Sequence, residues 1–248
     1  MEKIAFVTGA DRGLGFAMTA GLLDRGWRVF AGQFLPDWPD LAALAAAHPD
    51  RLTPIPLDVA DAGSVGAAAQ QVAAQTDRLD MLVNNAGINP GAFQQTIREG
   101  VDFALMQTVY AVNSIGPLRM TEAFLPLMGG DGRKRLCYVS SEAGSIGRSH
   151  RNGWYGYCMS KAALNMGVSI LFNDLRPDGF TFRLYHPGWI RSYMRGTKST
   201  MGDMEPEEAA IPALTFFLSG IDGELAAGPP YDEDRLALRD WQGREWPW

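Results

Sequence analysis

The sequence predicts an α/β fold, with a doubly wound parallel sheet covered by helices on both faces in three layers, α/β/α. Short apolar runs recur along the 248 residues, and segments of helical composition separate them. The first run, Ile4–Val7, leads into a glycine-rich turn at 8–15, and a later run at 136–139 ends in Ser140 and Ser141. Strands alternating with helices at this spacing are typical of βαβ units and a parallel sheet.

The first unit is a strand, a glycine turn and a helix, in that order. The turn reads T-G-A-D-R-G-L-G, and a helical segment at 16–25 follows it. Glycines allow a tight turn and close approach of a pyrophosphate to the backbone, while the helix start attracts its negative charge. A plain βα turn is the alternative. Because spacing and context agree, we expect nucleotide binding.

The same alternation continues through the rest of the chain. We predict further strands at 27–32, 52–57, 81–83, 136–139 and 181–185. We predict helices at 40–47, 61–76 and 101–128, another from about Tyr157, and a last one at 205–218. The polar segment 189–204 favours a mobile lid over the site, with an ordinary surface loop as the alternative. The tail beyond it receives no assignment.

Composition and charge limit the class of protein. The length fits one α/β domain over 1–248, and the net charge of -6 argues against nucleic acid as a partner. Two cysteines and three scattered histidines form neither a disulfide framework nor a metal site, so we expect no metal and a reducing cytoplasm. No signal peptide is evident, and no apolar stretch reaches the roughly 20 residues of a membrane helix. We therefore expect a soluble protein that does not contact membranes.

Tyr157 and Lys161 are the first candidates for chemistry. They stand four residues apart before the helical run 162–167, so they should share one helix face. A nearby ammonium favours the phenolate and lowers a tyrosine pKa from about 10, which would let Tyr157 act as a general acid or base. The pair alone is weak, because it is often just a helix surface. Ser140 and Ser141, at a strand end facing the expected crevice, strengthen it.

These motifs together resemble the short-chain dehydrogenase/reductase family over residues 3–192. The matches follow the family's order: T-G-A-D-R-G-L-G, L-D-V at 57–59, N-N-A-G at 84–87, Asn113, S-S at 140–141, Y-C-M-S-K at 157–161 and P-G at 187–188. The resemblance implies a Rossmann-like sheet of about seven strands. It also implies hydride transfer between a nicotinamide cofactor and a small-molecule carbonyl or alcohol substrate.

The resemblance also implies roles for four catalytic residues. Tyr157 would protonate the carbonyl oxygen, or deprotonate the alcohol in reverse, and Ser141 would hold and polarise that oxygen. Lys161 would bind the ribose of the nicotinamide and lower the pKa of Tyr157. Asn113 would kink its long helix and hold a water in a proton relay.

The cofactor contacts that the resemblance implies follow the groove from end to end. Gly9, Gly13 and Gly15 would line the pyrophosphate, Asp58 would contact the adenine, and Asn84 and Gly87 would pass along the adenosine ribose. The nicotinamide would lie beside Pro187 and Gly188, with the Ser192 hydroxyl near its carboxamide. The full expected set is Gly9, Arg12, Gly13, Leu14, Gly15, Gln33, Asp58, Val59, Asn85, Ala86, Gly87, Tyr157, Lys161, Pro187, Gly188, Ile190 and Ser192.

Cofactor choice depends on two positions. An acid about 20 residues after the glycines usually binds the ribose of NAD, but Gln33 stands there. Arg12 could bind a 2′-phosphate in a bidentate way. We therefore expect NADP(H) to be preferred, with NAD(H) possible because Asp37 could supply the missing acid.

The chain departs from the family pattern in two places. Ser141 and Tyr157 are three residues farther apart than usual, so a longer loop at 148–154 should protrude near the substrate mouth. There His150, Asn152 or Trp154 would shape substrate choice, unless the loop has no role. A family-typical D-G-G is missing near the C-terminus, which puts the common tetramer interface in doubt, although we still expect a homodimer or homotetramer.

The residues expected around the substrate are mostly apolar. Trp154, Trp189, Tyr193 and Met194 favour an apolar pocket. The basic side chains of Arg191, Arg195 and Lys198 would either recognise an anionic substrate or simply be solvated. Two alternatives to a reductase stay open: a nucleotide-binding sensor without chemistry, and an epimerase or dehydratase on the same scaffold.

Overall fold

A computed structural model describes residues 2–90, 95–130, 133–194, 196–221 and 231–248. The strands are β1 Ile4–Val7, β2 Arg28–Gln33, β3 Leu52–Pro56, β4 Met81–Asn84, β5 Arg135–Val139, β6 Thr181–His186, β7 Leu238–Asp240 and β8 Glu245–Trp246. The helices are α1 Gly13–Asp24, α2 Pro39–Ala47, α3 Ala62–Ala73, α4 Phe103–Tyr110, α5 Gly116–Phe124, α6 Tyr155–Leu175 and α7 Pro206–Phe217.

The strands form one sheet in the order β3-β2-β1-β4-β5-β6-β7-β8. The first seven run parallel, and β8 pairs antiparallel with β7. The order reverses direction between β1 and β4, and open α/β sheets bind ligands in the crevice at this point, beyond the carboxyl ends of the strands. The predicted doubly wound parallel sheet is confirmed. It has eight strands rather than about seven, because the unassigned tail supplies β7 and β8.

The sheet separates two apolar layers. Along β1, Ala5 and Val7 face the layer that includes α1 and α7, while Ile4 and Phe6 face the layer that includes α3, α5 and α6. This alternation follows from the two-residue period of a strand. Every residue of β1 is buried, as expected for a strand covered by helices on both sides.

The long helix predicted at 101–128 is wrong in one respect: it is not continuous. Regular helix stops after α4, a π-helical segment runs over Ala111–Ile115, and α5 then continues to Phe124. Pro117 accounts for the break, because it has no N–H to donate to the Asn113 carbonyl four residues earlier and its ring crowds that carbonyl. The helix ends early at Phe124 because Pro126 follows.

Other predicted boundaries shift by up to three residues. Strand β3 contains Pro54 and Pro56, which the outer edge of a sheet tolerates because that side needs no N–H donors. Across the described ranges, each helix is too short or too polar to cross a membrane.

Candidate active site

The glycine turn between β1 and α1 presents bare backbone to the crevice. Gly9 has a φ of 62°, a conformation that favours glycine. A Cβ placed on Gly15 would lie 2.1 Å from the Gly9 carbonyl oxygen, so no side chain fits there. The N-cap residue of α1, Arg12, makes no side-chain hydrogen bond to the helix start. The turn therefore fits a pyrophosphate, whose oxygens would accept hydrogen bonds from the backbone N–H groups at the start of α1.

The N-N-A-G segment after β4 braces this turn. The Thr8 hydroxyl accepts from the backbone N–H groups of Asn85 and Ala86, both at 2.9 Å. The Asn85 amide donates to the carbonyl oxygens of Thr8 and Gly9 at 2.9 and 3.2 Å. The Asn85 side chain therefore fixes the backbone of the glycine turn, and its amide N–H groups are used by these two carbonyl oxygens. The Asn84 side chain is buried, and neither of its polar atoms has a protein partner.

At the adenosine end, the Gln33 amide is engaged by its own loop. It donates to the carbonyl oxygens of Leu35 and Pro36 at 3.0 and 3.3 Å. Asp37 is exposed, and Arg12 lies beside Trp38 and Tyr193. No carboxylate ends β2, where Gln33 stands, so the role of Arg12 in binding a 2′-phosphate stays a prediction.

Three other predicted cofactor residues, Asp58, Val59 and Gly87, shape the groove through packing and turns. The Asp58 carboxylate accepts from the backbone N–H of Ala60 at 2.8 Å. Buried Val59 packs against α5, where a Cβ on Gly116 would lie 2.9 Å from its Cγ2. A Cβ on Gly87 would lie 3.4 Å from Asn113 Oδ1 and 3.7 Å from Lys161 Nζ. Gly87 thus connects the cofactor groove to the predicted catalytic group.

The four predicted catalytic residues do come together. The Ser141 hydroxyl lies close enough to the Tyr157 phenol to act on its pKa, and Lys161 Nζ lies 5.8 Å from the centre of the Tyr157 ring. Lys161 Nζ also donates to the Val139 carbonyl oxygen at 2.9 Å. The Asn113 amide donates to Ser160 Oγ at 3.1 Å, one residue before Lys161. Strand β5, the π-helical segment and α6 thus converge on one point.

The Asn113 side chain also fixes the segment after β4. Its Oδ1 accepts from the Ile88 N–H at 2.8 Å, and its Nδ2 donates to the Ile88 carbonyl at 2.9 Å. These two hydrogen bonds hold the backbone of the segment that follows Gly87 against the π-helical segment. The sequence predicted a kink at Asn113, and the π-helical segment supplies it.

The pKa of Tyr157 moves opposite to the direction predicted. Burial raises it to about 12, although the neighbouring Ser141 hydroxyl acts to lower it. Burial lowers the pKa of Lys161 to about 8. Desolvation of the phenol therefore dominates its pKa in the protein alone, and the lowering effect expected of Lys161 stays a prediction.

The longer loop at 148–154 folds onto the candidate catalytic tyrosine. The Trp154 ring stacks on Tyr157 with centres 4.7 Å apart, and its Nε1 donates to Asn89 Oδ1 at 2.7 Å. The Arg151 guanidinium lies over the Trp154 ring, 5.2 Å from its centre, and donates two hydrogen bonds to the Glu142 carboxylate. His150 and Asn152 are exposed. Sequence reasoning missed Asn89, Glu142 and Arg151, and no motif marked them.

Beyond β6, the P-G segment packs against the tail. Pro187 is buried, and a Cβ on Gly188 would lie 3.0 Å from the Trp241 ring. Ile190 and Met204 pair through a single parallel β-bridge, and the Ser192 N–H donates to the Ile190 carbonyl oxygen at 2.8 Å. The cofactor contacts expected of Ile190 and Ser192 stay predictions, while the tail at this edge was not foreseen.

The basic side chains of the predicted lid are neutralised locally. Arg191 and Lys198 both pair with Glu205 at 2.9 Å, and Arg195 lies outside the described residues. At its other end the lid touches the crevice, where the Asn89 N–H donates to the Met194 carbonyl oxygen at 3.1 Å. The solvated alternative for Arg191 and Lys198 therefore fits better than an anionic-substrate site.

A cleft of about 430 Å³, counted with its open mouth, adjoins Tyr157 between the starts of α4 and α6. It includes predicted Trp154, while Trp189, Tyr193 and Met194 do not line it. Its walls are mostly apolar: Asn89, Gln95, Val101, Asp102, Leu105, Met106, Val109, Trp154, Tyr155, Gly156 and Tyr157.

Comparisons with known proteins agree with this geometry. The family described as short chain dehydrogenase matches residues 3–202. The C-signal protein of Myxococcus xanthus is 35% identical over 173 residues, which cover 70% of this chain and 95% of that protein. An NADPH-bound carbonyl reductase from chicken fatty liver superimposes with a TM-score of 0.81 and 30% identity, covering 100% of this chain and 99% of its own.

A second solved structure is equally similar in shape. It is a short-chain dehydrogenase/reductase from Burkholderia multivorans with bound NADP, with a TM-score of 0.83, 28% identity and complete coverage of both chains. The family match spans most of the sequence and includes the glycine turn, Ser141, Tyr157 and Lys161. This chain belongs to the short-chain dehydrogenase/reductase family.

Proposed function

We propose that the protein is an NADP(H)-preferring carbonyl reductase or alcohol dehydrogenase in which Tyr157 is the acid and base. The observation that carries this proposal is the convergence of Ser141, Tyr157 and Lys161 beside the glycine turn. Family membership makes NAD(P)-dependent oxidoreduction the general activity. The finer assignment rests on the Ser141 hydroxyl beside the Tyr157 phenol and on the Lys161 ammonium 5.8 Å from the centre of the phenol ring.

The bound cofactor would supply or accept the hydride at the substrate carbon. During reduction, the carbonyl carbon receives the hydride and the phenol of Tyr157 gives its proton to the carbonyl oxygen. Together these two transfers convert the carbonyl to an alcohol and leave Tyr157 ionised. Ser141 donates a hydrogen bond to the same oxygen and stabilises the charge that develops there. The Lys161 ammonium stabilises the phenolate, and a water held near Asn113 returns the proton. The reverse reaction uses the same groups in the opposite order.

The NADP(H) preference rests on Arg12 and on the end of β2. The Gln33 side chain is occupied by its own loop, and no carboxylate takes its place. Two similar solved structures contain bound NADPH or NADP. NAD(H) would bind more weakly because nothing replaces the 2′-phosphate contact.

We further propose that the substrate is a small carbonyl compound or alcohol with apolar groups. Polar contacts are few in the cleft beside Tyr157, and Trp154 covers one of its sides. Segment 189–204 would act as a lid within a single catalytic domain, and the protein would work in the cytoplasm.

A homodimer or homotetramer completes the proposed enzyme. Side chains on the outer faces of the helices beside the site are apolar and exposed: Phe103, Tyr110, Leu118, Met159, Met166 and Ile170. Exposed apolar patches of this kind often mark protein interfaces. Family members usually associate through these helices, so a second copy is the natural occupant.

The test is oxidation of NADPH and NADH by the purified protein over a panel of ketones and aldehydes, with Tyr157→Phe as control. The proposal predicts turnover that NADPH supports better and that Tyr157→Phe abolishes. A non-catalytic nucleotide-binding role is the second candidate, because one relative carries the name C-signal. Tight cofactor binding with no turnover on any substrate would favour that second role.

A further inference from the structure

Arg12, Trp38 and Tyr193 form a compact cluster at the adenosine side of the groove, which we call the Arg12 clasp. The Arg12 guanidinium carbon lies 5.1 Å from the centre of the Trp38 ring and 5.5 Å from that of Tyr193. The two rings are 5.1 Å apart and inclined by 77°. The clasp therefore closes as a triangle in which each member contacts the other two.

The three members come from three separate segments. Arg12 belongs to the glycine turn, Trp38 ends the connection between β2 and α2, and Tyr193 lies in the predicted lid. A cation over aromatic faces gains attraction from the ring electrons while its N–H edge stays free for other partners. The ring contacts of the clasp thus orient Arg12 without using its N–H donors.

The remaining contacts of Arg12 leave it available to an anion. Its Nη2 donates to the Tyr193 carbonyl oxygen at 3.5 Å, and its Nε lies 4.0 Å from Asp11 Oδ2. These contacts engage only part of the five N–H donors of a guanidinium. The Arg12 side chain is 24% exposed and that of Asp11 only 5%, so the cation is the more accessible charge.

Asp11 is also held in place by the backbone. Its Oδ1 accepts from the Phe34 N–H at 3.3 Å, which fixes the carboxylate behind Arg12. An approaching phosphate would meet Arg12 first. Asp11 then acts as the counter-charge that orients the guanidinium from behind.

The clasp also ties the lid to the glycine turn. Tyr193 packs near Gly13, where an added Cβ would lie 3.8 Å from its ring. The next residue, Met194, accepts a backbone hydrogen bond from Asn89 beside Tyr157. One short segment therefore contacts both the adenosine side of the groove and the substrate side.

We propose that Trp38 and Tyr193 are positioning residues that hold Arg12 for the 2′-phosphate of NADP(H), and that phosphate binding fixes the lid through Tyr193. This inference rests on the proposed function, in which Arg12 recognises that phosphate. By linkage, if the packed lid strengthens phosphate binding, phosphate binding must favour the packed lid by the same factor.

The first test is calorimetric titration of the full chain with NADP⁺ and NAD⁺. Trp38→Ala should weaken NADP⁺ binding about three- to tenfold and leave NAD⁺ within about twofold, because contacts of this type contribute modestly. Trp38→Phe should restore most of the NADP⁺ affinity. Phe34→Ala is the matched control, since Phe34 is an exposed aromatic in the same connection, and it should leave the NADP⁺ to NAD⁺ ratio unchanged.

The second test follows the lid without any substrate. Trypsin cleavage after Arg191 or Lys198, identified by mass spectrometry, should slow more with saturating NADP⁺ than with saturating NAD⁺. Tyr193→Ala should erase this difference, whereas Tyr193→Phe should keep it because the ring remains.

Four results would overturn the inference. Equal losses of NADP⁺ and NAD⁺ affinity in Trp38→Ala would assign Trp38 a general structural role. Equal protection of the lid by both dinucleotides would remove the link through Tyr193. Binding of neither dinucleotide by the wild-type protein would defeat the proposed function as well. Binding of both with unchanged selectivity in Arg12→Ala would defeat the clasp and the role of Arg12 in NADP(H) preference, while the proposed oxidoreductase activity would stand.

Discussion

The indole of Trp154 stacks on the phenol of Tyr157, with ring centres 4.7 Å apart and planes inclined by 22°. Lys161 also approaches the Tyr157 ring, and Arg151 approaches the Trp154 ring. The candidate acid therefore belongs to a stack of two aromatic rings and two cations. Since Arg151 is also paired with Glu142, directly after Ser141, the longer loop is connected to both candidate catalytic hydroxyls.

Trp154→Ala should lower kcat about three- to tenfold by removing the stacking that orients Tyr157, because aromatic pairs of this kind contribute about 0.5–1.5 kcal/mol. Trp154→Phe should keep most of the activity, and NADPH affinity should not change. Steady-state kinetics with calorimetric titration measures both quantities. The exposed neighbours supply controls: His150→Ala and Asn152→Ala should match the wild type. Equal losses in all three alanine variants would mean that the loop as a whole, rather than the stack, is required.

Arg151→Gln should shift the pH dependence of alcohol oxidation upwards by about half a unit. Arg151 acts to lower the Tyr157 pKa and Glu142 acts to raise it, so removing the cation makes the phenolate harder to form. Glu142→Gln should shift the profile the other way, and the double variant should return near the wild type. Profiles of kcat/KM against pH test this. Shifts of the same sign in both single variants would contradict the electrostatic account.

Gly15→Ala should abolish cofactor binding and destabilise the protein by several kcal/mol. Its Cβ would meet backbone, the Gly9 carbonyl oxygen at 2.1 Å, so the clash requires the turn itself to move. Gly66→Ala is the matched control, because the added Cβ finds nothing within 4 Å there and α3 should gain about 0.5–1 kcal/mol. Urea unfolding and NADPH titration of both variants check this; wild-type binding by Gly15→Ala would disprove the close approach.

Acid should destabilise the protein partly through His186. Burial between Trp241 and Trp246 lowers the pKa of this histidine from 6.5 to about 4. The unfolded chain therefore binds a proton between these values that the folded chain does not. The stabilisation from keeping His186 neutral is fully present above about pH 6.5 and is lost as the pH falls to about 4. The free energy of unfolding decreases through this group by at most about 3 kcal/mol.

Urea unfolding at pH 7.5 and pH 5 measures this loss, with His186→Gln as the comparison. The wild type should lose more stability than the variant over this interval. Equal losses in the two proteins would show that other groups account for the acid sensitivity.

The sequence predicted those parts of the fold that local patterns encode. Strands β1 to β6 are apolar runs next to turns, so their existence was evident. Strand β7 has three residues, of which Arg239 and Asp240 are charged, and it forms only because β6 offers an unpaired edge. Such a strand depends on tertiary pairing that no local pattern encodes. The family resemblance predicted the kink at Asn113, and Pro117, four residues later, gives its physical reason.

The candidate site divides in the same way. Motif spacing brought Ser141, Tyr157 and Lys161 together correctly. The contact between Trp154 and Asn89 joins residues 65 positions apart, so no motif could indicate it. The direction of the Tyr157 pKa was also out of reach, because it depends on how far the folded chain removes the phenol from water.

The most direct test of the central claim is a reduction with NADPH that carries deuterium at the transferable position. The carbonyl substrate is one that the panel identifies, and mass spectrometry of the alcohol product locates the label. The account predicts one deuterium on the carbinol carbon with the wild type and no labelled product with Tyr157→Phe, although that variant still binds NADPH. Cofactor consumption without label in the alcohol, or full labelling by Tyr157→Phe, would contradict it.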